Sequence, residues 1–242
     1  MNLYTFTLES FHIDNTRSRH EDTDTVTFGL QVGNTIFQVQ SFSAGDVNNG
    51  TYPVNLKFGY VLVSNDAKPV VMSYQIFNGD SGNLAIGLTT LNINLGEQAV
   101  TFMRQKIEQG DPADYTDYPD NQTPDDNGEL EFNDGAWTQF LEYVDVGSLL
   151  FPDCDGFVAV GTIGKTKGSW DALIDSAGGS IYSHSVRYPG TDSPAGCGSN
   201  SDYSVTWSVR RDKITGSLKN FLQAHKLILH PGLRSLSTSA VT

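Results

Sequence analysis

The sequence predicts a mainly β protein, an antiparallel two-layer β-sandwich of about eight to ten strands with an inserted helical segment. Three observations support this fold class. Apolar and polar residues alternate over most of the chain, which is typical of strands with one face in a core. The composition, with 24 Gly and 10 Tyr among 242 residues, suits many short strands joined by tight turns. One long stretch, residues 96–152, lacks the alternation and contains two helical patterns.

The part of the chain before this stretch is predicted to form strands with apolar residues at every second position. Gly33-Asn34 is the turn signal of a hairpin between the second and third of these strands. The predicted strands are residues 4–8, 26–32, 35–42, 54–62 and 70–77. We predict one further strand at residues 84–95.

The inserted segment is predicted to cover residues 97–150. Val100 and Met103 lie at helical spacing, and Gly110, followed by Asp and Pro, ends that helix. An apolar stripe at i, i+3, i+4 and i+7 predicts a second helix over residues 137–144. We expect both helices to pack their apolar faces on a sheet or on each other. The alternative is a membrane-active hairpin, which would require the acidic residues between the helices to be neutralised.

The chain after the insertion is predicted to return to β-structure. Three strands are expected at residues 157–163, 181–188 and 203–209, and in the last of them Ser and Thr alternate with Tyr, Val and Trp. The domain organisation that follows is a single β-sandwich domain over residues 1–212 and a basic, partly helical tail over residues 213–242.

The net charge of −13 is unevenly distributed along the chain. From Arg210 onward there are six basic residues and one acid, which leaves nine basic residues against 27 acids before it. A body this acidic repels phosphate backbones, so the sequence argues against a nucleic-acid partner. Cations and cationic partners fit the charge better.

The N-terminus has no basic region followed by an apolar run, and no window approaches the length of a transmembrane helix. We therefore expect a protein without a transmembrane segment, either cytoplasmic or exported without a conventional signal peptide. Cys154 and Cys197 both stand among turn residues. They are expected to be free thiols in a reducing compartment, and they could pair after export.

The acidic run between the two predicted helices resembles an EF-hand loop in its spacing. Oxygen-bearing side chains alternate around a glycine, Gly128, and a helix is predicted to follow. Position 1 is Thr rather than Asp, position 12 is Asp rather than Glu, and no helix directly precedes the loop. A solvated acidic loop is therefore the alternative. The predicted Ca²⁺ ligands are Asp125, Asn127, Glu129, Glu131 and Asp134.

A second cluster of charged residues lies in the connection between the first two strands. The predicted ligand-binding residues are Arg17, Arg19, His20, Asp22 and Asp24. If the protein is an enzyme, His20 is the candidate base, Asp22 orients it, and Arg19 holds an anionic group. The alternative is a self-neutralising network of ion pairs.

These features favour a binding module that recognises a carbohydrate, a membrane or a protein partner through its loops, with a possible link to Ca²⁺ and no organic cofactor. The alternative function is a cofactor-free hydrolase, lyase or cyclase that uses the loop Arg17–Asp24. The binding module is the preferred hypothesis, because the sequence contains no catalytic motif with specific spacing, neither Gly-x-Ser-x-Gly nor His-Glu-x-x-His.

Overall fold

The computed structural model describes residues 2–18, 22–79, 84–117, 156–190 and 200–214. These residues form ten strands and two helices. The strands are β1 (Asn2–Asn15), β2 (Asp22–Val32), β3 (Thr35–Ile36), β4 (Gln40–Val47), β5 (Gly50–Leu62), β6 (Pro69–Asn78), β7 (Tyr115–Asp117), β8 (Gly156–Thr166), β9 (Ile181–Pro189) and β10 (Asp202–Lys213). The helices are α1 (Leu84–Gln109) and α2 (Lys167–Ser176).

The strands form two antiparallel sheets that pack face to face, so the predicted β-sandwich with a helical insert is confirmed. The first sheet has four strands in the order β5-β1-β10-β9. The second has six strands in the order β3-β2-β6-β8-β7, and β4 pairs with β2 next to β3. The predicted strand over residues 35–42 is in fact two pieces, β3 and the beginning of β4.

One apolar core fills the space between the two sheets. On β2 the inward residues include Val26, Phe28 and Leu30, and on β10 they include Val205 and Trp207; all five are buried. The alternation predicted from the sequence therefore identifies the inner face of each sheet correctly. Helix α2 closes part of this core, because Trp170 is buried and packs edge-on against Trp207.

Helix α1 begins at Leu84, so the strand predicted for residues 84–95 is wrong. Its buried face runs through Leu88, Asn92 and Met103, at helical spacing. In the first half of α1 the polar Asn92 occupies a buried position, so the apolar residues alone do not show the helical period. The second half confirms the helix predicted from residue 97, and Gly110, with φ of 75°, follows its last residue in the left-handed conformation that ends helices.

Part of the predicted insertion, residues 97–150, lies in the described chain. It comprises the end of α1 and the short strand β7, which pairs with β8 at the edge of the six-stranded sheet. The helix predicted over residues 137–144 lies outside the described residues, as do Cys154 and Cys197. Neither α1 nor α2 has an apolar stretch that could cross a membrane.

Helix α1 covers the outer face of the six-stranded sheet through a buried polar layer. The Ser73 hydroxyl donates to Asn92 Oδ1 at 2.6 Å, and the Asn92 side-chain nitrogen donates to the Ser73 carbonyl oxygen at 3.2 Å. When the Gln75 amide is oriented so that both its nitrogen and its oxygen have partners, the nitrogen donates to the Leu88 carbonyl oxygen at 3.0 Å. Gly29 lets the helix approach, because a Cβ there would lie 1.9 Å from Asn92 Oδ1.

Candidate functional site

The connection between β1 and β2 is held to the sandwich by Asp22. Its two carboxylate oxygens accept hydrogen bonds from the backbone N–H groups of Arg17 and Ser18, each at 2.7 Å. Asp22 itself is fully buried. An aspartate that accepts backbone N–H groups a few residues away stabilises a turn, so Asp22 has a clear structural role here.

Asp24 lies two residues further along β2, on the same inward face. The Tyr203 hydroxyl is within hydrogen-bonding distance of both acids, at 2.6 Å from Asp22 Oδ2 and 3.0 Å from Asp24 Oδ2. Asp24 Oδ1 is buried and has no hydrogen-bond partner in the described part of the chain. Burial, together with the nearby charge of Asp22, raises the pKa of Asp24 to about 8.

The structure describes three of the five predicted ligand-binding residues and brings the side chains of two, Asp22 and Asp24, together at Tyr203. Asp22 and Asp24 face the interior, and the Arg17 guanidinium lies against Gly156, where an added Cβ would meet it at 2.9 Å. Arg19 and His20 lie outside the described residues. The ligand-binding and catalytic roles of this loop therefore stay predictions, although contact between a ligand and the two buried acids would require the loop to move.

The alternation of residues along β2 indicates that the two acids face inward. The residues Val26, Phe28, Leu30 and Val32 alternate on the core face of β2, and the same period extended backwards reaches Asp24 and then Asp22. Acids in register with a buried face are expected in the interior at the end of a sheet. The strand predicted from residue 26 leaves both acids in the connection before it, whereas β2 begins at Asp22.

The predicted calcium ligands fall outside the described part of the chain. This applies to Asp125, Asn127, Glu129, Glu131 and Asp134. Calcium binding stays a prediction from the sequence.

A second candidate site is the outer face of the four-stranded sheet. Hydroxyl side chains stand side by side on neighbouring strands there: Ser208 of β10 pairs with Thr7 of β1 and with Ser183 of β9, and Thr206 pairs in the same way with Ser10 and Ser185. We call this surface the hydroxyl face. Its members are Thr7, Ser10, Thr51, Ser183, Ser185, Ser204, Thr206 and Ser208.

Part of the hydroxyl face is open to solvent. Thr51, Ser183 and Ser185 are exposed, Ser208 is buried, and the other four hydroxyl residues are half-buried. Neighbouring strands in a sheet are about 4.8 Å apart, so hydroxyl groups on adjacent strands lie close together. Thr206 Oγ1 donates to Ser185 Oγ at 3.3 Å, which shows how closely the side chains of adjacent strands approach.

Charged and imidazole groups mark one end of the hydroxyl face. His12 lies 2.8 Å from the Thr51 hydroxyl through Nδ1 and 3.3 Å from Asp14 through Nε2. On the opposite edge strand the Arg187 side chain donates to Asp202, with one contact of 2.9 Å at Nε. These groups add donors and acceptors of fixed orientation at this end. Two exposed basic residues also stand on the face, Lys57 beside Thr7 and Arg210 beside Ile181.

Sequence reasoning missed the hydroxyl face although part of its signal was visible. The alternation of Ser204, Thr206 and Ser208 with apolar residues was used to locate the inner face of β10. The same period defines the outer face. Its neighbours on β1 and β9 are distant in sequence, so only the strand pairing shows that the hydroxyl groups lie together.

No protein-family description matches this chain, and no curated protein shows significant similarity.

Proposed function

We propose that this protein is a non-enzymatic binding module and that its ligand is a carbohydrate held on the hydroxyl face. The observation that carries the proposal is the array of serine and threonine side chains on three adjacent strands, which are exposed on β9 and mostly half-buried on β1 and β10. A hydroxyl group both donates and accepts hydrogen bonds. An array of such groups complements a sugar, which presents hydroxyl groups of the same dual character.

The chemistry of the face favours a carbohydrate over the other partners considered for this sequence. Protein–protein interfaces are enriched in aromatic residues, Met and Arg and depleted in Ser. Membrane-binding surfaces combine Trp, Phe or Leu with basic residues. Among the described strands of the four-stranded sheet, one large apolar side chain is exposed, that of Ile181 on the edge strand β9. The acidic body further favours neutral over anionic glycans.

The role of Asp22 supports a binding function over the catalytic alternative. An aspartate that orients a catalytic base directs a lone pair of its carboxylate at that base. Asp22 already accepts three hydrogen bonds, from two backbone N–H groups and from Tyr203, out of about four that a carboxylate can accept. No observation on the described residues favours the hydrolase, lyase or cyclase hypothesis over binding.

The experiment is a binding measurement on a panel of immobilised neutral, anionic and cationic glycans. The test variant carries Ser183→Ala and Ser185→Ala, which remove two exposed hydroxyl groups from β9. The matched control carries Ser41→Ala and Ser43→Ala, two exposed serines on β4 of the other sheet. We expect neutral glycans to bind and the test variant to lose roughly tenfold in affinity, since each net hydrogen bond contributes about 0.5–1.5 kcal/mol.

Two results would contradict this proposal. One is an absence of binding to every glycan class on the panel. The other is an equal affinity of the test and control variants for whichever glycan binds, which would place the ligand elsewhere on the protein.

A further inference from the structure

The two buried acids at the end of the sandwich are an unusual feature in the core. Asp22 and Asp24 are both fully buried, and both contact the single hydroxyl group of Tyr203. Ionised carboxylates are costly to bury, and two of them close together repel each other. The contacts around them show how this cost is avoided.

Counting hydrogens assigns the protonation state of the cluster. Asp22 accepts from the N–H groups of Arg17 and Ser18 and from the Tyr203 hydroxyl, whose contact with Asp22 at 2.6 Å is the shorter of its two. That hydroxyl has one hydrogen, so it cannot also donate to Asp24. The contact of 3.0 Å between Tyr203 and Asp24 Oδ2 is then a hydrogen bond only if Asp24 supplies the hydrogen.

We propose that Asp24 is a neutral carboxylic acid in the folded protein at neutral pH, and that its proton is a pH-sensitive lock on the β1–β2 connection. The chain of hydrogen bonds runs from Asp24 to Tyr203, from Tyr203 to Asp22, and from Asp22 to the backbone of residues 17 and 18. Loss of the proton at alkaline pH leaves two like charges at one hydroxyl group and loosens the turn that Asp22 holds.

In the part of the chain that the structure describes, the polar and charged groups around the pair lie on β2, β4, β6 and β10 and at Arg17. Asn78, opposite Asp24 on β6, is neutral, and its side-chain oxygen accepts from the Thr23 N–H at 2.8 Å. Asp46 on β4 is exposed and accepts from the Thr23 hydroxyl. The groups on the packed elements are Asp22 on β2, Asp46 on β4, Asn78 on β6, Tyr203 on β10, and Arg17, whose guanidinium lies against Gly156 of β8. Of these, Asp22 acts on Asp24 by its charge.

The sign of the pH dependence follows from the proton. Burial and the charge of Asp22 raise the pKa of Asp24 from its ordinary value of 3.8 to about 8 in the folded state. The folded state therefore holds one proton more than the unfolded state between these values, and its stability falls as the pH rises through this range. One proton changes the unfolding equilibrium constant by at most tenfold per pH unit. Above the pKa of Asp24 in the folded state, the stability that depends on this proton is lost completely.

The experiment measures the free energy of unfolding by denaturant between pH 5 and pH 9 for the wild type and for Asp24→Asn. Asparagine has the shape of the protonated acid and its N–H group can donate to Tyr203, but it cannot titrate. We expect the wild type to lose stability as the pH rises. For each pH unit its unfolding equilibrium constant should increase by up to tenfold more than that of Asp24→Asn. Equal pH dependence of the two proteins would overturn the proposal.

A second measurement applies to the wild type alone and decides the question if Asp24→Asn does not fold. The side-chain carboxyl carbon of Asp24 is followed by NMR as the pH is raised. A midpoint above pH 6.5 confirms the neutral acid, and a midpoint near the ordinary value for aspartate overturns it. The lock also predicts faster amide exchange at Arg17 and Ser18 above the midpoint, beyond the intrinsic effect of pH.

Discussion

The outer face of the six-stranded sheet carries Ser73 and Gln75 beneath helix α1, whereas the outer face of the four-stranded sheet carries Ser183 and Ser185 at the surface. Both faces carry polar side chains that alternate with apolar core residues. Beneath the helix Ser73 has a fixed hydrogen-bond partner in Asn92. On the exposed sheet the hydroxyl groups remain accessible to solvent, and therefore to a ligand.

This difference shows that residue type alone does not reveal what a polar sheet face does. A buried hydroxyl group that loses its partner costs about 1–3 kcal/mol, whereas an exposed one exchanges its partner for water at little cost. Polar residues under α1 should therefore determine stability, and polar residues on the hydroxyl face should determine binding.

The largest effect is expected from Gly29→Ala, at the closest approach between α1 and the six-stranded sheet. The added methyl group would lie 1.9 Å from Asn92 Oδ1, so the helix must shift or the Ser73–Asn92 hydrogen bond must break. We expect a loss of about 2–4 kcal/mol in the free energy of unfolding, measured with denaturant. The matched control is Gly59→Ala on the four-stranded sheet, where an added Cβ meets no atom within 4 Å. A similar loss of unfolding free energy in both variants would show that the contact with Asn92 does not determine the cost.

A smaller loss is expected from Asn92→Ala, which removes the polar centre of the layer but adds no clash. The Ser73 hydroxyl loses its acceptor at 2.6 Å, and both groups are buried. We predict a destabilisation of about 1–3 kcal/mol. In a double-mutant cycle with Ser73→Ala the two losses should be strongly non-additive, because the second substitution removes the orphaned partner. Simple additivity would show that the two side chains are not coupled.

Calcium should stabilise the protein independently of either sheet face. Nine carboxylates and no basic residue lie between Asp111 and Asp134, so a bound divalent cation relieves their repulsion. With a dissociation constant on the order of 10⁻⁴–10⁻³ M, a tenfold excess over it stabilises by about 1.4 kcal/mol. Thermal melts in EDTA and in millimolar Ca²⁺ measure this, with Asp125→Ala and Glu131→Ala as the variants that should lose the shift. An equal shift in all three proteins would place the ion elsewhere.

Much of the fold could be predicted from the sequence because strand periodicity is local. Alternation located the inner face of β2 and β10, and helical spacing located the second half of α1. The first half was missed because Asn92 occupies a buried position of the helix where an apolar residue was expected. Its burial depends on Ser73, on a strand that only the tertiary structure brings beneath it.

The candidate site was less predictable because it depends on strand pairing. β1 pairs with β10, which lies almost at the other end of the described chain. Local periodicity shows that Thr7 and Ser208 each face outward, but it does not show that they are neighbours. The same holds for Asp22 and Tyr203, whose contact turns an apparently solvated acid into a buried one.

Two serine substitutions, each measured for stability and for binding, test whether the two sheet faces have separate roles. Ser73→Ala and Ser185→Ala each remove one hydroxyl group from the outer face of a sheet, the first beneath α1 and the second at the surface. Unfolding free energy and glycan affinity are measured for both. We predict that Ser73→Ala lowers stability by about 1–2 kcal/mol and leaves affinity unchanged, while Ser185→Ala changes stability by less than about 0.5 kcal/mol and weakens binding. Loss of stability from Ser185→Ala with unchanged glycan affinity would contradict a binding role for the hydroxyl face.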